Sequence, residues 1–156
     1  MNSKGVGIIE IIVVVAIAGI ALFGISGVSS YALGVMNDRK ALLEASYLAE
    51  EGIEAARNVR DESWSSNIAT LTAGTNYYPV VSGGKWILQT TNPGLINNRY
   101  ARRAVFENVN RDGSDNIVTS GGTLDANTKK VTIYVSWPSR SGTQEINLIT
   151  YLTNWR

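Results

Sequence analysis

The chain has 156 residues and a mass of 16.9 kDa, enough for one compact domain and too few for two ordinary ones. Fourteen Lys and Arg against thirteen Asp and Glu leave a net charge of +1, so no global excess of cations argues for nucleic acid. With neither Cys nor His, disulfides, thiol catalysis and thiolate metal sites are excluded, and the commonest general base, metal ligand and pH switch are missing, which makes an enzyme the poorest functional reading.

The first element is apolar. No charged side chain occurs between Glu10 and Asp38, and the stretch from Ile8 to Val28 meets the roughly 20 residues that a helix needs to cross a bilayer. Three readings compete for it. A core helix of a soluble domain would have to be buried on every side, because apolar residues surround it. A cleaved secretory signal is suggested by Lys4 in the short n-region and by small residues at Ser26, Gly27 and Ser29. A retained membrane anchor is the third. Glu10 sits oddly in all three, because a carboxylate in hydrocarbon is costly and is usually paired. Near the headgroups it would simply reach into water.

The neighbours of Glu10 bear on this choice. The run Lys4-Gly5-Val6-Gly7-Ile8-Ile9-Glu10, followed at once by the apolar helix, resembles the type IV prepilin signature. That signature is a short basic leader ending in Gly, an apolar first mature residue and Glu four residues further on. It is shared by pilins, the pseudopilins of type II secretion and competence pseudopili. The resemblance implies a leader over residues 1–5, cleavage between Gly5 and Val6 by a membrane-embedded prepilin peptidase, and N-methylation of Val6. It further implies that Glu10 is the assembly acid, pairing with the α-amino group of Val6 in a neighbouring subunit. Two positions depart from the usual pattern: Val6 stands where an aromatic residue is common, and Gly7 where Thr is common. The family's partners would be the chain itself and other pilins in a helical filament, the peptidase, a platform protein with its ATPase, and the membrane. Lys4 favours a cytoplasmic N-terminus, which makes the expected location a single pass through the bacterial cytoplasmic membrane with the head outside, and then a pilus or pseudopilus.

Residues 38–60 continue the helix. Good helix formers dominate, and Leu42, Ala45, Ala49, Ile53, Ala56 and Val59 recur at spacings of three and four, an apolar stripe fit to rest on a small domain. No Pro precedes Pro79, so one helix over residues 6–60 is expected, roughly 80 Å long at 1.5 Å per residue. Gly19, Gly24, Gly27 and Gly34 mark either close helix–helix packing or local softness. Segment 49–61, with Trp64 after it, resembles the helix end of minor pilins and pseudopilins.

From residue 61 to 156 the composition shifts to Ser, Thr, Asn and Gly. Turn signals recur at Ser82-Gly83-Gly84, Asn92-Pro93-Gly94, Asp112-Gly113 and Ser120-Gly121-Gly122. Alternation predicts strands over residues 85–90, 100–109, 130–137 and 145–153, with Tyr100, Arg102, Ala104, Phe106 and Asn108 on one face of the second, and Val131, Ile133, Val135 and Trp137 on one face of the third. The expected fold class is α+β, a long N-terminal helix on an antiparallel sheet of about four strands. Residues 61–80 read as a connecting loop. Trp86, Phe106, Trp137 and Trp155 read as core, and Trp64, Tyr77 and Tyr78 as surface. Many pilins close the head with a disulfide, which this chain cannot form.

Asn108-Val109-Asn110-Arg111-Asp112-Gly113 imitates the start of a calcium loop, with Asp112, Asp115 and Asp125 as carboxylate donors, but Thr119 stands where a bidentate Glu would close it. The competing reading is an Asp-Gly hairpin turn, and no resident cofactor is expected. The functional expectation is a structural filament subunit. Its alternative is a membrane-anchored extracytoplasmic binding or sensor domain that does not polymerise.

Overall fold

The computed structural model describes residues 7–155 of the chain. The fold class is α+β: a long N-terminal helix and an antiparallel sheet. Helix α1 runs Ile8–Glu62, with Glu10 in its first turn and Arg60 in its last, the polarity that suits the helix dipole. A single-turn helix α2 follows at Trp64–Asn67, where the side chain of Ser63 accepts a bond from the Ser66 N–H. The strands are β1 Asn76–Ser82, β2 Lys85–Gln89, β3 Ala101–Arg111, β4 Ile117–Val118, β5 Thr123–Ser139 and β6 Gly142–Thr153. They form one sheet in the order β2-β1-β3-β5-β6, with β4 paired to the end of β3.

The chain divides between Lys40 and Ala41 into two units. In the first, the helix from Ile8 carries a stretch long and apolar enough to cross a membrane. Residues 7–33 are exposed on every face.

In the second unit, the helix from Ala41 to Glu62 lies on one face of the sheet. Ala41, Ala45, Ala49, Ile53, Ala56 and Val59 are buried with Phe106, Val131, Ile133 and Val135 in one core. This is the expected stripe with one change: Ala41 is buried, whereas Leu42 is 42% exposed. The small side chains bring helix and sheet close together. At Gly52, also buried, a Cβ would stand 2.8 Å from Ile133 Cγ2.

The sheet has six strands where about four were expected. The two additions are β4 and β1, and β1 with α2 replaces the loop expected over residues 61–80. Pro79 obscured β1 in the sequence. Only Asn76 and Tyr77 pair with β3, and the Pro79 carbonyl, free of that ladder, faces Arg102, so the missing N–H on the same side of the strand costs no ladder bond. Tyr77 and Trp64, expected at the surface, are buried. The Tyr77 ring meets Phe106 edge-on at 5.9 Å, and its hydroxyl accepts from the Thr72 N–H. Tyr78 is half-buried. Phe106 and Trp137 are core as expected and Trp86 packs against the core, but Trp155 is 59% exposed beside Arg60. The predicted alternation of β3 holds through Phe106. It fails at Asn108, which is exposed while Val109 is buried, because the register to β5 jumps there from Lys129 to Asp125.

Candidate functional site

The expected assembly residues sit at the start of α1. The Gly7 carbonyl accepts from the N–H of Glu10 at 3.0 Å and of Ile11 at 3.3 Å, which opens the helix and fixes Glu10 in its first turn. Glu10 is exposed among exposed apolar neighbours, Ile9 at 79% and Val14 at 60%. Gly5 and Val6, the expected cleavage and methylation positions, lie outside the described residues. After Glu10 the next charged residue in the sequence is Asp38, and Tyr31 is the one ionisable side chain between them. What this part of the helix offers is a lone carboxylate on an apolar cylinder. Apart from the helix's own neighbouring residues, no described residue lies within 4 Å of where a Cβ would stand at Gly19, Gly24 or Gly27.

The three carboxylates of the calcium-loop reading, Asp112, Asp115 and Asp125, are engaged within the loop and with Arg111. Asp112 turns back on its own loop, its Oδ1 accepting from the N–H groups of Ser114 and Asn116, both at 2.9 Å. Those bonds, the one from Asn116 foremost, hold its carboxyl below the usual range. Asp125 Oδ2 accepts from Arg111 Nε at 2.7 Å, and that bond holds its carboxyl low as well. Asp115 lies 3.6 Å from the same nitrogen. The guanidinium of Arg111 thus stands where a cation would be needed. Among the described residues no three acidic side chains gather in a way that could hold a metal ion. The geometry is that of the competing reading, an Asp-Gly turn. It borders an open depression of about 570 Å³ lined by Arg111, Asp125, Asn127 and Asn154.

Two polar clamps join the second half of α1 to β3. The Tyr100 hydroxyl donates to Glu44 at 2.5 Å and lies 3.4 Å from the Ala41 carbonyl. Burial, aided by that bond, pushes the phenol up to about 12. Arg102 is 7% exposed. Its Nη1 donates to Glu51 at 2.6 Å and to the Leu48 carbonyl at 3.1 Å, its Nη2 to the Pro79 carbonyl at 3.4 Å, and its guanidinium lies 5.5 Å from the Trp86 ring centre. Its Nε is buried without a partner. The alternation of β3 already placed Arg102 on the core face; nothing in the sequence named Glu51 and Pro79 as the groups that receive it. The opposite face of the sheet is dressed by ionic pairs, Arg103 with Glu145 and Lys130 with Glu107, and Arg103 lies 3.8 Å from the Tyr134 ring centre. These clamps tie the helix from Ala41 to β3 and β1.

Comparison of the chain with protein-family models, with curated proteins and with solved structures found no match.

Proposed function

We propose that the chain is a structural subunit, a pilin, minor pilin or pseudopilin, of a type IV pilus-like or type II secretion-like filament, with no catalytic role. The observation that carries this reading is the Ile8–Glu62 helix. Its apolar part is exposed on every face over residues 7–33 and bears one carboxylate, Glu10, while the chain from Ala41 onward has its own core. Such a surface needs a non-aqueous surrounding, first lipid and then the helices of neighbouring copies. Leaving lipid for a packed filament would bury Glu10 as an unpaired charge. The α-amino group of Val6, freed by cleavage after Gly5, supplies the counter-charge and fixes the axial register. The prepilin peptidase, the platform protein with its ATPase, the location in the cytoplasmic membrane with an outward head, and N-methylation at Val6 belong to the same proposal.

Mass spectrometry of the mature protein tests processing: a chain starting at Val6, with or without one added methyl group, is expected, and a chain starting at Met1 or near Val28 opposes the reading. Glu10→Gln tests assembly. It keeps shape and helix propensity while removing the charge, and filament yield should fall at least tenfold. A membrane-anchored domain that does not polymerise would show no change on that substitution and no filament in its absence.

A further inference from the structure

The strands of the head are not held equally. β3, β5 and β6 pair over long stretches, and their inward side chains Phe106, Val131, Ile133, Val135 and Leu152 are fully buried. β1 leaves this sheet after Tyr77. Asn76 and Tyr77 face Val105 and Ala104, and from Tyr78 onward the strand pairs with β2 alone, from Tyr78 opposite Gln89 to Ser82 opposite Lys85. Gly83 at φ 59° and Gly84 at φ 78° close that hairpin in the left-handed conformation that a tight two-residue turn needs. No residue from Val80 to Gln89 is fully buried, and residues 90–95, which lead away from β2, are exposed throughout. A two-stranded hairpin is marginal in water by itself, so what holds this one shut is its underside.

Trp86 and Leu88, two residues apart and therefore on one face of β2, pack partly buried against the core. With Val59 and Leu71 they line a groove of about 290 Å³. Lys85 reaches Glu62 of the helix at 2.6 Å, on the exposed side. The remaining tie is Arg102. Its Nη2 donates to the Pro79 carbonyl at 3.4 Å, and its guanidinium lies 5.5 Å from the Trp86 ring centre. Its Nη1 is held from the other side by Glu51 and by the Leu48 carbonyl. Arg102 therefore belongs to the body formed by helix and β3, and grips the hairpin from there.

We infer that the β1–β2 hairpin beyond Tyr77 is a lid, latched by Arg102, that opens while the helix from Ala41 and the strands β3, β5 and β6 stay folded. Opening parts Lys85 from Glu62 and Pro79 from Arg102, and it uncovers the groove over Val59 and Leu71. It breaks no pairing of β3 with β5 or of β5 with β6, which is why it is separable from unfolding of the head. Lifted from the body, the hairpin no longer protects its own amides. The inference concerns the head alone and goes beyond the proposed function, holding whether or not the chain polymerises.

Hydrogen exchange of the full chain in detergent micelles, read by mass spectrometry of its peptides, tests this. β6 is the control, because it is an edge strand like β2 but is paired along its length to β5. The slowest amides of residues 80–89 should exchange about 100-fold faster than the slowest of β5 and β6. R102M, which keeps the buried volume, should speed residues 80–89 by about a further tenfold while β5 changes by less than about fivefold. K85Q, at an exposed ion pair and without risk to the core, should speed residues 80–89 about twofold and leave β5 unchanged. Exchange at residues 80–89 that keeps pace with β6 overturns the inference, since the hairpin then opens only with the whole head. R102M that leaves residues 80–89 unchanged overturns it as well. R102M that speeds residues 80–89 and β5 by the same factor makes Arg102 a support of the whole core and not a latch, and also overturns it.

Discussion

Arg102 joins the helix, β1 and β3 through one buried guanidinium. It is a charge in the core, and burying one is tolerable only because a carboxylate and two carbonyls receive it. Glu51 is about half exposed and can return to water when its partner is removed, whereas the space left by the guanidinium cannot be filled. Arg102→Ala should therefore cost about 3 kcal/mol, and Arg102→Met, which keeps the volume and removes the buried charge and its orphan Nε, no more than about 1 kcal/mol. Urea unfolding of the purified variants measures both; equal losses would mean that the ion pair, and not filled space, is what the site requires. Tyr100 gives a second reading at this scale. Its phenol keeps its proton up to about 12, above the ordinary value of 10. Between those values the unfolded chain has released the proton and the folded chain still holds it. Stability is therefore full below 10 and declines as the pH rises toward 12. Tyr100→Phe should remove that share of the alkaline loss, so the stability difference between the two proteins should shrink as pH rises through this window.

Among the elements, α1 and the strands β3, β5 and β6 were legible where each follows one period, β3 as far as Phe106. Apolar residues recur every three or four positions from Ala45 to Val59, and β-branched and aromatic residues alternate from Val131 to Trp137. The strand β1 was not legible, since Pro79 argues against a ladder and only the sheet reveals that its side of the strand faces Arg102. The bulge after Asn108 was equally hidden: it depends on extra residues in β5, and no local pattern in β3 announces it. At the Asp112-Gly113 turn the sequence shows the carboxylates but does not say that Arg111 turns in among them. Gly52 shows the same limit. In an isolated helix Gly52→Ala would gain about 1 kcal/mol. Here the new methyl would stand 2.8 Å from Ile133 Cγ2, a side chain buried on all sides, and overpacking of that kind costs about 1–3 kcal/mol. A net loss is expected, read as a lower thermal midpoint for Gly52→Ala and a larger drop for Gly52→Val. A rise for Gly52→Ala would mean that the helix can lift from the sheet at little cost.

At the scale of the whole molecule, one helix carries two kinds of surface, apolar all round in its first part and apolar along one stripe from Ala41 on. From Ala41 onward its buried face is satisfied by the sheet, and the buried core cluster found among the described residues begins at Ala41. A fragment starting at Ala41 should accordingly be soluble and monomeric in sedimentation, and should unfold cooperatively, because the buried side chains of its core all lie within it. Aggregation of that fragment, or a gradual loss of its near-ultraviolet signal on heating, would mean that the earlier residues support the head. The same argument isolates what the first part of the helix is for. If residues 7–33 contribute nothing to the head's core, substitutions there leave its stability alone and act only through the surroundings of the apolar surface. Gly19→Leu and Gly24→Leu would each add bulk where the single chain leaves open space. Close packing between copies predicts lost assembly with an unchanged melting midpoint, whereas a merely softened helix predicts that Gly19→Ala and Gly24→Ala raise helicity and leave assembly intact. Filament yield and melting measured on the same variants separate the two roles of these glycines, and place the function of the apolar segment outside the folded head.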